Sequence, residues 1–125
     1  MTQRTAERTE FLSDLLLTAT SGITYWATVT DPEALVEKVR TRTAIESITL
    51  VDQEESSTHT VTLDDVARGL QQLSSGSLNY SNMGYDETPA RLRLLDKTNG
   101  DESDYDAFDA DAVVQAALFG KIVYG

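Results

Sequence analysis

Residues 106–120 constrain this chain more than any other stretch. From Ala112 to Phe119 every side chain except Gln115 is apolar. Ala110, Val113, Val114, Ala117 and Leu118 make one stripe, and Phe108, Ala112 and Phe119 an adjoining one. Both recur at spacings of three, four and seven, the helical period. A helix apolar most of the way round cannot rest on a surface, so the rest of the domain must surround it. Asp106 suits the N-cap, with Asp109 three residues on, and acids in the first turn face the positive end of the helix dipole. Gly120 suits the left-handed position that ends a helix, and Lys121 sits at the negative end.

Six carboxylates lead into that helix: Asp101, Glu102, Asp104, Asp106, Asp109 and Asp111. No basic residue lies among them. The simplest expectation is that some cap the helix and the others form a solvated loop. They carry −6 of a net charge of −11. An excess of this sign repels phosphates and argues against direct binding to nucleic acid. It favours solubility and basic partners.

The 125 residues make one domain's worth of chain, read as 1–125, long enough for a core without staples. The absence of cysteine excludes disulfides, thiolate metal sites and cysteine nucleophiles. No apolar run is long enough to span a bilayer. The opening MTQRTAERTE is too polar to begin a signal peptide, and the expectation is a cytoplasmic protein.

Phe11, Leu12, Leu15, Leu16 and Ala19 predict a helix over 5–19, ended by Ser21-Gly22. Ile23 to Thr30 alternates and predicts a strand, with Ile23, Tyr25, Ala27 and Val29 on the core face and Trp26 opposite. Trp26 is then expected under a helix or a subunit on the second face. Asp31-Pro32-Glu33 starts a helix through about Arg42, with Leu35, Val36 and Val39 inward. Strands over 44–52 and 58–63 form a hairpin around the turn 53–57, with His59 on the strand surface and alternating with Val61. Thr62 to Asp65 begins a helix to Leu73 with a capping-box pattern. A long polar loop covers 74–87, and Thr88-Pro89 restarts a helix that ends near Lys97. The order α-β-α-β-β-α-α-α predicts an α+β fold: an antiparallel sheet of about three strands, packed by four to five helices around the C-terminal one.

Catalytic and metal-binding patterns were tested in turn. Asp96 to Ala107 resembles a Ca²⁺ loop only faintly, since glycine stands at its fifth position and alanine at its twelfth. His59, the only histidine, has Ser56, Ser57, Asp64 and Asp65 near it in sequence, but no nucleophile-elbow motif frames a serine. No glycine-rich phosphate loop is present. The expectation is therefore a non-enzymatic protein with no catalytic residues, no metal and no cofactor.

Two binding readings follow. In the first, an acidic surface of Asp101, Glu102, Asp104 and Asp106 imitates nucleic-acid phosphates and engages a basic partner protein that handles nucleic acid. In the second, Tyr80, Tyr85, Arg91 and Arg93 hold a small anionic ligand such as a signalling nucleotide, with Asn79, Asn82 and Met83 beside them. A third reading is a structural homo-oligomer joined through the Trp26 face or the C-terminal tail. No membrane partner is expected.

GITYWATV (Gly22 to Val29), VTLDDVARGLQQL (Val61 to Leu73) and DADAVVQAALFGKIVYG (Asp109 to Gly125) together resemble a family of small accessory proteins of actinobacteria, their phages and other mobile elements. In that family the first strand is usually followed by a longer, aromatic-rich insert, whereas this chain has the short charged segment Asp31 to Thr43. The resemblance brings no catalytic residues. It implies a context in which such proteins act against host defence or on host machinery.

Overall fold

The computed structural model describes residues 4–76, 78 and 88–125. The described elements are α1 (Ala6–Gly22), β1 (Ala27–Val29), α2 (Pro32–Arg40), β2 (Ser47–Asp52), β3 (Thr58–Thr62), α3 (Leu63–Ser74), α4 (Thr88–Thr98) and α5 (Ala107–Phe119). The three strands form an antiparallel sheet in the order β1-β2-β3. The fold is α+β, with α5 at its centre as the apolar pattern requires.

Helix α5 packs against α1, α3 and β3. Every residue from Asp109 to Ala116 is buried. Leu12, Leu15 and Leu16 of α1 and Val66, Leu70 and Leu73 of α3 close around it, each no more than 2% exposed. Burying one leucine side chain stabilises by about 1.5–3 kcal/mol, so this cluster dominates the apolar contribution to the fold. Two glycines let the helices approach closely. A Cβ on Gly69 of α3 would stand 2.2 Å from the Val113 carbonyl oxygen. One on Gly22, at the end of α1, would stand 2.2 Å from the Ala107 carbonyl oxygen.

The helix caps follow the sequence closely. Thr62 accepts a hydrogen bond from Asp65 N, and the Asp65 carboxylate accepts one from Thr62 N, so the capping box is complete despite the short acid. Asp106 and Asp109 make the same reciprocal pair at α5. Gly120 takes a left-handed φ of 68°.

Four expectations are corrected. First, the strand expected over 23–30 is only Ala27–Val29. Ile23 N donates to Ala19 O, while Trp26 N and Ala27 N donate to Ile23 O, so Ile23–Trp26 forms a turn that leaves α1. A turn places residues three apart on one side. Ile23 and Trp26 are therefore buried, and Tyr25, 51% exposed, faces outward. Second, α2 forms but buries none of its residues, and Val36 and Val39 are 65% and 53% exposed. Its apolar side stands off α1 and β1 across a groove of about 720 Å³. Third, Phe108, placed in an apolar stripe by its spacing, is 68% exposed, while Asp111 is buried and takes no part in the cap; Asp109 completes the cap as expected. Fourth, His59 and Val61 lie two apart in β3 and so share one face of the sheet. They pair with Leu50 and Ile48 on the core side.

Gly69→Ala is expected to destabilise the protein by about 2 kcal/mol or more through overpacking, outweighing a helix-propensity gain of at most about 1 kcal/mol. Urea unfolding followed by circular dichroism measures the difference. An unchanged or raised midpoint would contradict the close α3–α5 contact.

Candidate functional site

The buried end of α5 ties the C-terminal tail to the core. Asp111 is 5% exposed and has no cation beside it among the described residues. Its carboxylate accepts hydrogen bonds from Tyr25 OH at 2.6 Å, Trp26 Nε1 at 2.8 Å and Gln115 Nε2 at 2.9 Å. Such donors offset the cost of burying the charge. One turn on, the Gln115 side-chain oxygen accepts from Val123 N and Tyr124 N, both at 2.8 Å. Its amide nitrogen also donates to Tyr124 O at 3.2 Å. Gln115, the single polar break in the apolar run, is thus the clamp for the tail.

The clamped tail stacks Tyr124 on Trp26, with ring centroids 4.9 Å apart and planes 9° from parallel. Phe119 packs against both rings. Tyr124 OH donates to Asp52 Oδ2 at 2.7 Å. Burial and the Asp111 carboxylate raise the Tyr25 phenol far above its usual value. The Asp52 carboxylate, with burial second, pushes the Tyr124 phenol up to about 12. The same hydrogen bond, with those from the Glu54 and Glu55 amides, lowers the Asp52 carboxyl. Trp26, 2% exposed, is thus covered by Phe119 and Tyr124 of its own chain. His59 turns its ring edge to Phe119, and its Nε2 has no hydrogen-bond partner among the described residues. Burial on the sheet's core face corrects its expected place on the strand surface.

The four acids expected to face a partner are exposed: Asp101, Glu102, Asp104 and Asp106. Their backbone is pinned from below. Glu102 N donates to Thr98 Oγ1, Ser103 Oγ donates to Arg91 O, and Arg91 Nη1 donates to Asp104 O. Tyr105 packs edge-on against Phe11 of α1. That contact brings in acids that the sequence spacing hides. Glu7, Glu10 and Asp14 of α1 and Asp101 line one groove of about 480 Å³ together with Asn99, Gly100, Phe11 and Tyr105. No cation is among these lining residues. Burial, and then the charge of Glu10, raise the Asp14 carboxyl. Glu7, Glu10 and Asp14 fall along one side of α1 at spacings of three and four. That spacing is visible in the sequence, but their place beside Asp101 is not. Asp106 differs from its three companions because its carboxylate is the N-cap of α5.

The small-ligand set is not brought together by the described residues. Tyr80, Tyr85, Asn79, Asn82 and Met83 lie outside them. Arg91 holds buried Asp109 through two parallel bonds, Nη1 to Oδ2 at 2.9 Å and Nη2 to Oδ1 at 2.8 Å. Arg91 is thus a structural partner, whereas Arg93 points to a different cleft and donates to Ser74 O.

Arg91→Ala strands the Asp109 carboxylate in the interior and is expected to cost roughly 3 kcal/mol, read from urea midpoints. A loss below about 1 kcal/mol would mean that the caps alone satisfy Asp109. The tail clamp has a pH signature. A phenol raised from about 10 to about 12 contributes stability that is complete below pH 10 and is lost as pH rises through about 12. The urea midpoint should fall between those values in the wild type and fall less in Tyr124→Phe; parallel curves would show that the Tyr124–Asp52 bond carries no linkage. Comparison with protein-family models, curated proteins and solved structures finds no match for this chain.

Proposed function

We propose that the protein is a non-enzymatic binding protein that engages a basic partner protein through its acidic face. The observation that carries this reading is the convergence of Glu7, Glu10 and Asp14 with Asp101 on one groove. Glu102 and Asp104 stand exposed on the same pinned segment. Charges held on a fixed backbone need no ordering when a partner arrives, so less entropy is lost on binding. Burial, and then the neighbouring charge of Glu10, raise the Asp14 carboxyl, and an incoming cation relieves the second of these. Association of this kind is steered over roughly 8 Å at physiological salt and weakens as salt rises.

The resemblance to accessory proteins of phages and mobile elements supports a narrower version. There the partner is a cytoplasmic host protein that handles nucleic acid, and the carboxylates take the place of phosphates in its groove. The action is then that of an anti-defence inhibitor.

The test uses Asp101→Lys, Glu102→Lys and Asp104→Lys together. Asp106 is left intact because it caps α5, and losing a cap costs about 1 kcal/mol. A pull-down from host lysate at low salt, eluted with a salt gradient, identifies the partner. Its affinity for the triple variant should drop about 100-fold or more at low salt, with an unchanged circular dichroism spectrum. A partner retained equally by both proteins would sink the proposal.

A further inference from the structure

The acidic face is one side of this molecule's electrostatics. Ten basic residues stand against twenty-one acidic ones. Yet four of the ten bases, Arg4, Arg8, Arg93 and Lys97, line a single cleft of about 650 Å³. Thr5, Asn99 and one carboxylate, Asp96, complete the lining.

The four cations are not equally occupied. Arg4 is bridged to Asp64, outside the lining. Arg8 is bridged to Asp96 and also donates to Asp96 O at 2.8 Å and Asn99 Oδ1 at 3.1 Å. These bonds fix its guanidinium at the wall. Arg93 makes no ion pair among the described residues, and of its five N–H donors one is used, by Ser74 O at 3.1 Å. Lys97 makes no ion pair among the described residues. Arg93 and Lys97 lie four apart on α4, where like charges repel. Among the described residues, α4 thus holds two cations without an ion-pair partner one helical turn apart, with two further arginines in the same cleft.

We infer that this cleft is a binding site for a small, multiply charged oxyanion of the di- or triphosphate class. Four cations against Asp96 in the lining and Asp64 bonded to Arg4 leave two positive charges in excess, carried by Arg93 and Lys97, which matches a polyanion rather than a single carboxylate. A guanidinium fork presents paired N–H groups to two oxygens of one phosphoryl group, and the lysine adds a mobile point charge. The net charge of −11 disfavours a duplex in the same place, because the surrounding acids would face its backbone. The cleft shares no residue with the acidic groove except Asn99 at the boundary. A polyphosphate anion and a basic partner are therefore bound by separate surfaces.

The probes are inorganic pyrophosphate and triphosphate, titrated by calorimetry into the full chain at low salt. Binding is expected, weakening with added salt, and Arg93→Gln/Lys97→Gln should raise the Kd by about tenfold or more. Both side chains are exposed, so the fold is expected to survive. Should the variant fail to fold, ¹⁵N amide spectra of the wild type decide the matter. Pyrophosphate should shift Thr5, Arg8, Lys97 and Asn99 and leave Glu102 and Asp104 in place. A nucleoside triphosphate should show the same dependence on Arg93 and Lys97. No heat and no shifts at millimolar triphosphate, shifts centred elsewhere, or tighter binding of single-stranded RNA than of triphosphate would each overturn the inference.

Discussion

The buried pair Asp111 and Gln115 on α5 is the interaction on which the arrangement of this molecule depends. A carboxylate without a cation is costly in an interior, by several kcal/mol if its hydrogen bonds are unmade. Here three donors meet it: Tyr25 and Trp26 from the turn that leaves α1, and Gln115 from its own helix. Satisfying Asp111 therefore fixes where the Ile23–Trp26 turn must lie. Satisfying Gln115 fixes where the tail must lie. Trp26, Phe119 and Tyr124 then pack as a consequence. Apolar burial supplies most of the driving force, but it is tolerant of small shifts. The polar pair is not, because hydrogen bonds fail over a few tenths of an ångström.

The large acidic excess divides into two populations with different roles. Asp52, Asp109 and Asp111 are interior groups, each met by donors that the fold supplies. Asp101, Glu102 and Asp104 are held outward on a backbone tied to α4, and α1 adds Glu7, Glu10 and Asp14 beside them. The cations divide as well. Arg91 and Arg68 bond to α5 itself, at Asp109 and the Ala117 carbonyl, while Arg93 and Lys97 line a cleft together. A protein so negative overall can then present a steering surface of one sign and a compact site of the other. The two are far enough apart in function to be tested by separate variants.

Local signals along the chain were legible wherever short-range chemistry decides. Asp31, Thr62 and Asp106 cap their helices because an oxygen two or three residues before a free N–H suffices. Gly120 ends α5 because it alone tolerates the left-handed backbone there. The reading failed where a pattern fits two periods. Ile23 to Val29 alternates like a strand, but Ile23 and Trp26 also match the three-residue spacing of a turn, and the buried Asp111 carboxylate, which accepts from Tyr25 and Trp26, favours the turn. On α2, the apolar residues Leu35, Val36 and Val39 match an inward face, yet only Leu35 packs against the core, and Val36 and Val39 stay exposed.

By itself the sequence determined the α+β class, the order of the elements, the central place of α5 and the concentration of negative charge before it. These follow from periodicity, capping and composition, which act over a few residues. Only the tertiary structure decided which acids are interior, that Gln115 holds the tail, that α1 joins the acidic face, and that Arg4, Arg8, Arg93 and Lys97 share a cleft. Those outcomes depend on contacts between residues as many as 91 positions apart, such as Arg8 and Asn99. No local spacing encodes them, because they arise only once the helices have packed around α5.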